Sequence, residues 1–152
     1  MCSPRPQEYF GSVRTDDLGI GANDNLLRAC RAPVQIVPCK VRGQKISDQV
    51  FRKKSTDAGA SVDLECKLIE DGIDWSARFD VMPNTVAMVS ITAGQVRAVS
   101  GGAAWTPKPE QPELEGLASA AANPYHGEVI GEISRADGRT LSRAAIILKT
   151  LV

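Results

Sequence analysis

Thr85-Val86-Ala87-Met88-Val89-Ser90-Ile91 is the stretch whose reading decides the fold. It is β-branched and apolar almost without a break, the composition of a central strand covered on both faces. Thr92 directly after it can accept a hydrogen bond from a free amide and cap a short helical turn over residues 93–99, which carries Arg97. Upstream, Met82-Pro83-Asn84 is a breaker. Before that, Trp75-Ser76-Ala77-Arg78-Phe79 reads as a short helix anchored to the core by its two aromatic residues.

Working further toward the N-terminus, Ser61-Val62-Asp63-Leu64 reads as a short strand running into a polar helical stretch that ends at Gly72, with a loop over residues 55–59 before it. Ser47 can cap a helical turn that points Val50 and Phe51 inward. The cluster Arg52-Lys53-Lys54 then reads either as a solvated surface or as the rim of an anion site. Residues 34–41 form an edge strand broken by Pro38, followed by a turn over residues 42–45. Residues 1–31 mix Pro, Gly, Asp and Asn without a sustained period, which predicts a flexible arm, dispensable for folding, ahead of a single domain over residues 32–152.

On the C-terminal side, Gly101-Gly102 breaks the chain and residues 103–106 form a short strand holding Trp105. Pro107, Pro109 and Pro112 then impose an extended, poorly hydrogen-bonded surface loop bearing Glu110, Glu113 and Glu115. A strand over residues 126–133, a turn at Asp137-Gly138 and a last helix over residues 141–151 capped by Thr140 complete the chain. This order does not alternate as a parallel sheet would. The expectation is an α+β domain with a small mixed or antiparallel sheet, short helices and a C-terminal helix packed on the sheet.

Lysine and arginine together number 18, as do aspartate and glutamate, so there is no net field to draw the chain to nucleic acid or to an anionic membrane. Aromatic residues make up only 5% of the chain and do not interleave with basic ones, so a base-stacking platform is missing and nucleic-acid binding is disfavoured. No apolar run is long enough for a membrane span, and Met1 is followed by a polar Pro-containing segment where a secretory signal would be apolar. A cytoplasmic chain with reduced thiols is expected. Cys2, Cys30, Cys39 and Cys66 include no C-x-x-C pair, and with one histidine they do not suggest a zinc site. Neither G-x-G-x-x-G, nor a P-loop, nor G-x-S-x-G occurs, and no cofactor is expected.

His126 is the single histidine. It lies in Asn123-Pro124-Tyr125-His126-Gly127-Glu128-Val129-Ile130-Gly131, where a turn-forming stretch enters a strand, and its ordinary pKa near neutrality makes it the natural candidate for proton chemistry. The plainer reading is a structural residue satisfied by hydrogen bonds.

Four segments, Ile46-Ser47-Asp48-Gln49-Val50-Phe51, Ser61-Val62-Asp63, Ile91-Thr92-Ala93-Gly94-Gln95-Val96-Arg97 and the stretch from Asn123 to Gly131, together resemble a loose group of short bacterial proteins to which no activity is attached. The resemblance implies that these segments share a site. Ser61, Arg97 and Asn123 would then bind a ligand, with Arg97 clamping an anion, and Asp63 and His126 would be the catalytic candidates, with Asp63 orienting His126. Alternatively Ser61 and Asp63 cap the next helix, Arg97 pairs with a surface carboxylate and Asn123 is a turn residue. Two functions follow. One is a binding module for a partner protein or a small anionic ligand; the other is an enzyme of toxin or defence type acting on RNA or a nucleotide, with His126 as general acid or base.

Overall fold

The computed structural model describes residues 2–11, 13–31, 35–39, 43–54 and 57–151. The strand expected from the apolar run is β5 (Ala87–Thr92), which lies second from one edge of the sheet, where a central place was expected. Ala87, Val89 and Ile91 enter one hydrophobic cluster and Met88 enters a second on the opposite face, so the strand is covered on both sides. β5 lies in an antiparallel six-stranded sheet of order β6-β7-β4-β1-β5-β8, built with β1 (Asn25–Cys30), β4 (Ala60–Leu64), β6 (Gly102–Trp105), β7 (His126–Ile130) and β8 (Ile146–Thr150). A hairpin of β2 (Ile36–Cys39) and β3 (Gly43–Ile46) stands apart from it. Pro38 lies in β2 as expected, whereas Gly43–Ile46 is a strand and not a turn; the ends of the predicted strand at 34, 40 and 41, and Arg42, lie outside the described residues.

Helices α1 (Glu65–Glu70) and α2 (Trp75–Val81) cover one face through Leu68 and Phe79. The other face receives Val50 and Phe51 from the turn after Ser47, Val96 from α3 (Ala93–Ala98) and Leu141 from α4 (Arg135–Ala144). α3 begins with a capping box: Thr92 accepts from the Gln95 amide, and the Gln95 side chain accepts from the Thr92 amide. The fold class is therefore α+β, in one domain.

Several local expectations are corrected. The predicted arm carries β1, which sits inside the sheet between β4 and β5; Leu26 and Leu27 point into opposite clusters, and a strand buried on both faces has no period of 2 to read. Residues ahead of β1 are docked as well. Gln7 N donates to Trp105 O, Asp17 N donates to Ala103 O, and Cys2 is disulfide-bonded to Cys66 where reduced thiols were expected. Cys30 is free and buried, and burial pushes its thiol up to about 12, which makes it unreactive.

The last helix starts earlier than expected. Ser134 caps it by accepting from Asp137 N, and Thr140 lies within it, donating to Ala136 O. The chain then continues as β8 on the edge of the sheet, so Ile146 and Ile147 mark an exposed edge strand and not a helical face. The proline loop does lie on the surface, but it is a gapped antiparallel ladder: Lys108 pairs with Asn123 and Gln111 with Ala120 through reciprocal backbone bonds of 2.9 Å. Proline only removes its own donor, and residues between the prolines still pair. The β7 strand stops at Ile130, where Gly131 takes a positive φ of 106°.

Candidate functional site

A cleft of about 810 Å³ opens inside the sheet itself. β1 and β4 share only two register pairs, Leu26 with Leu64 and Leu27 with Asp63, while β1 continues along β5 to Cys30 and β4 continues along β7 to Ala60. Beyond Leu27 the two strands part. Arg28 occupies the opening, and its Nη1 donates to the backbone carbonyl of Ser61 at 2.6 Å, taking the place of a neighbouring strand.

The cleft is basic. Arg28, Arg31, Arg52, Lys53 and Lys54 line it, against the carboxylates of Asp57 and Asp63. The rim reading of the cluster at residues 52–54 thus has a geometric basis. Arg52 is held by donating to Ile133 O at 2.8 Å, and Lys53 pairs with the exposed Glu132 at 3.3 Å. Among the described residues, Arg28, Arg31 and Lys54 have no carboxylate within salt-bridge distance. Among the described residues, the buried Nε of Arg28 has no hydrogen-bond partner. Burial lowers the pKa of Arg28 below its ordinary value and the like charge of Arg31 adds to this, with Cys30 and Asp57 opposing.

His126 stands at one end of the cleft, where β7 enters the sheet, with Asp63 as its register partner on β4. Gly127 beside it permits the close approach of strands on both sides: a Cβ there would lie 2.7 Å from Ala104 O and 2.7 Å from the Leu64 side chain. The imidazole is 9% exposed and lies under the edge of Tyr9, with ring centroids 5.2 Å apart. Nδ1 is 2.9 Å from Thr106 O and 3.0 Å from Thr106 Oγ1, and Nε2 is 3.1 Å from Ser61 Oγ. A carbonyl oxygen only accepts, so Nδ1 carries the proton and Nε2 presents its lone pair. The Ser61 hydroxyl then donates to Nε2. Burial lowers the His126 pKa below 6.5, and Lys108 acts in the same direction; the Thr106 hydrogen bond, Glu128 and Asp63 oppose. The ring is therefore neutral at pH 7.

Asp63, 3% exposed, is placed next to His126 by register but does not orient it. Its Oδ2 accepts from Arg78 Nε at 2.8 Å and its Oδ1 from Asn123 Nδ2 at 2.9 Å. Asn123 in turn accepts from Tyr125 N at 3.1 Å, which fixes the turn into β7. Asp63 and Asn123 line the cleft, yet their polar atoms serve this network, and the orienting role expected of Asp63 belongs to Thr106.

Arg97 is not part of the cleft. Its Nε and Nη2 clamp Asp16 at 2.9 and 3.1 Å, and Nη2 also donates to the carbonyls of Asp17 and Ile20 at 2.9 Å. Burial would raise the Asp16 pKa, but Arg97 and the Ala103 amide outweigh it and hold the carboxyl below its ordinary value. The guanidinium expected to clamp a ligand instead clamps the N-terminal segment, as the surface-pair alternative anticipates in kind.

The cleft thus brings Ser61, Asp63, Asn123 and His126 together and leaves Arg97 outside, while Arg28 in the cleft and Thr106 behind His126 were not expected from the sequence. A signal for Arg28 existed, since a lone cation stands in the run Leu26-Leu27-Arg28-Ala29-Cys30. Thr106 gave none. Among the described residues, no group of His, Cys, Asp or Glu side chains is arranged to hold a metal ion, and no helix is long and apolar enough to cross a membrane. No family model, curated protein or solved structure matches this chain.

Proposed function

We propose that this chain is a binding module for a small anionic ligand, held in the cleft between β1 and β4. The observation that carries this reading is Arg28, a half-buried guanidinium whose buried Nε has no hydrogen-bond partner and which forms no ion pair among the described residues, in a cleft that also holds Arg31 and Lys54. Taking a cation out of water is costly; Asp57 offsets part of that cost, and an anion bound beside Arg28 would offset more. The planar fork of Arg28 and the mobile ammonium of Lys54 suit a phosphate or a carboxylate. A concave, charged cleft favours a small ligand over a protein partner, whose contact surface would be flatter and more apolar. In the cytoplasm, the compartment expected from the sequence, Cys2 and Cys66 would be held as thiols. Neither Cys2 nor Cys66 lines the cleft, so binding would not require the disulfide.

Titration calorimetry with inorganic pyrophosphate at low salt tests this. The expected result is saturable binding that weakens as salt is added and falls by about tenfold or more in the double variant Arg31→Ala, Lys54→Ala. Absence of binding by the folded wild-type chain to pyrophosphate, phosphate and citrate alike overturns the proposal.

The second reading, an enzyme acting on RNA or a nucleotide with His126 as general acid or base, is favoured by one observation, the presence of His126 in the same basic cleft. In it the phosphate contact assigned to Arg97 passes to Arg28. Release of product from a short RNA, abolished by His126→Gln, would support it over simple binding.

A further inference from the structure

We propose that Ser61 is a nucleophile activated by His126, and that the cleft hydrolyses an anionic ester through an acyl-Ser61 intermediate. The inference rests on the anion-binding reading for its substrate class and on separate geometry for its chemistry. Ser61 is exposed, whereas the imidazole behind it is buried, so the attacking oxygen is open to a ligand while its base is shielded from bulk water. The Thr106 carbonyl accepts the Nδ1 proton and fixes the tautomer in which Nε2 faces Ser61 Oγ at 3.1 Å. Nucleophile, base and orienting acceptor therefore follow one another in the sequence of contacts that general-base activation requires. Burial disfavours the imidazolium that the ring becomes once it has received the serine proton, and the Thr106 hydrogen bond with the carboxylates of Glu128 and Asp63 offsets part of that cost. Arg28, bonded to the carbonyl of Ser61, sets a positive charge beside the nucleophile, where negative charge develops on the substrate oxygen.

In the acylation step Ser61 Oγ forms a bond to the ester carbonyl carbon and its proton passes to His126 Nε2. The bond to the alcohol oxygen breaks, and that oxygen takes the proton from Nε2. Water then adds to the acyl-Ser61 carbon and gives a proton to Nε2; the carboxylic acid departs as Ser61 Oγ regains that proton. The balance is one ester and one water to one acid and one alcohol, with no oxidant or reductant.

The test is to incubate the full chain with an uncharged alkyl fluorophosphonate, which forms an O–P bond and releases fluoride, and to locate the adduct by peptide mass spectrometry. The expected adduct is on Ser61, forms more slowly once the pH is lowered far enough below 6.5 for the buried His126 to take a proton, and is slowed when pyrophosphate fills the cleft. His126→Gln is expected to slow labelling by about a hundredfold or more. Should that variant fail to fold, the pH profile of the wild-type reaction carries the same information. Pyrophosphate binding by the wild type with no Ser61 adduct overturns the nucleophile and leaves the binding module standing. A Ser61 adduct in a chain that does not bind pyrophosphate overturns the anionic substrate class. Labelling whose rate does not fall at any pH from 8 down to the acid limit of the folded chain overturns the role of His126.

Discussion

His126 shows how burial turns a residue legible in the sequence into one with a defined state. An unfolded histidine takes up a proton near pH 6.5, and the buried ring does so only at lower pH. Between those two values the unfolded chain holds more protons, so stability rises with pH across the window and is lost as pH falls below about 6.5. Urea midpoints measured from pH 5 to 7.5 are expected to show this decline, and His126→Gln is expected to flatten it, because the amide does not titrate. Asp63 makes a second point at this scale. Both its oxygens are engaged, so Asp63→Ala leaves the Arg78 and Asn123 donors unmatched and is expected to cost on the order of 2 to 4 kcal/mol in chemical denaturation. A double-mutant cycle with Arg78→Ala would assign part of that loss to the pair. A stability change within experimental error would show the network to be inconsequential.

Among the elements, β5 and α3 were the most legible because their signals are local. An uninterrupted apolar strand followed by Thr at the cap position contains all the information its ends need, and the capping box at Thr92 and Gln95 is the result. Thr92→Ala is expected to destabilise the fold by about 1 kcal/mol, with little change in the dependence on denaturant. β1 and β8 were not legible, for opposite reasons. β1 is a six-residue strand whose two leucines face opposite clusters, so no alternation marks it. β8 follows α4 after one residue, and its isoleucines continue the apolar spacing of the helix across the boundary. Only the open edge beside β5 decides that residues 146–150 extend and pair.

At the scale of the molecule, the N-terminal segment is a structural part. Arg14 and Glu128 form an ion pair at 2.9 Å with side chains 4% and 6% exposed, and the same guanidinium gathers the carbonyls of Glu8, Tyr9 and Gly11. Deleting residues 1–20 would strand Glu128 in the interior and uncover His126 beneath Tyr9. The expected loss is about 3 to 5 kcal/mol from the unpaired carboxylate alone, read as a lowered thermal midpoint; an unchanged midpoint would restore the dispensable arm. The cleft belongs to this scale too. It exists because β1 leaves β4 after two pairs, and neither strand's residues announce where that happens. The sequence by itself determined the α+β class, the covered strand β5, the inward Val50 and Phe51 and the surface position of the proline loop, since each depends on propensity and patterning within a few residues. The tertiary structure alone decided that Arg97 serves Asp16, that Arg28 fills the opening beside Ser61, and that Thr106 holds the His126 proton. Those pairings join segments from 20 to 81 positions apart, and only the register and splay of long-range strands bring such segments into contact.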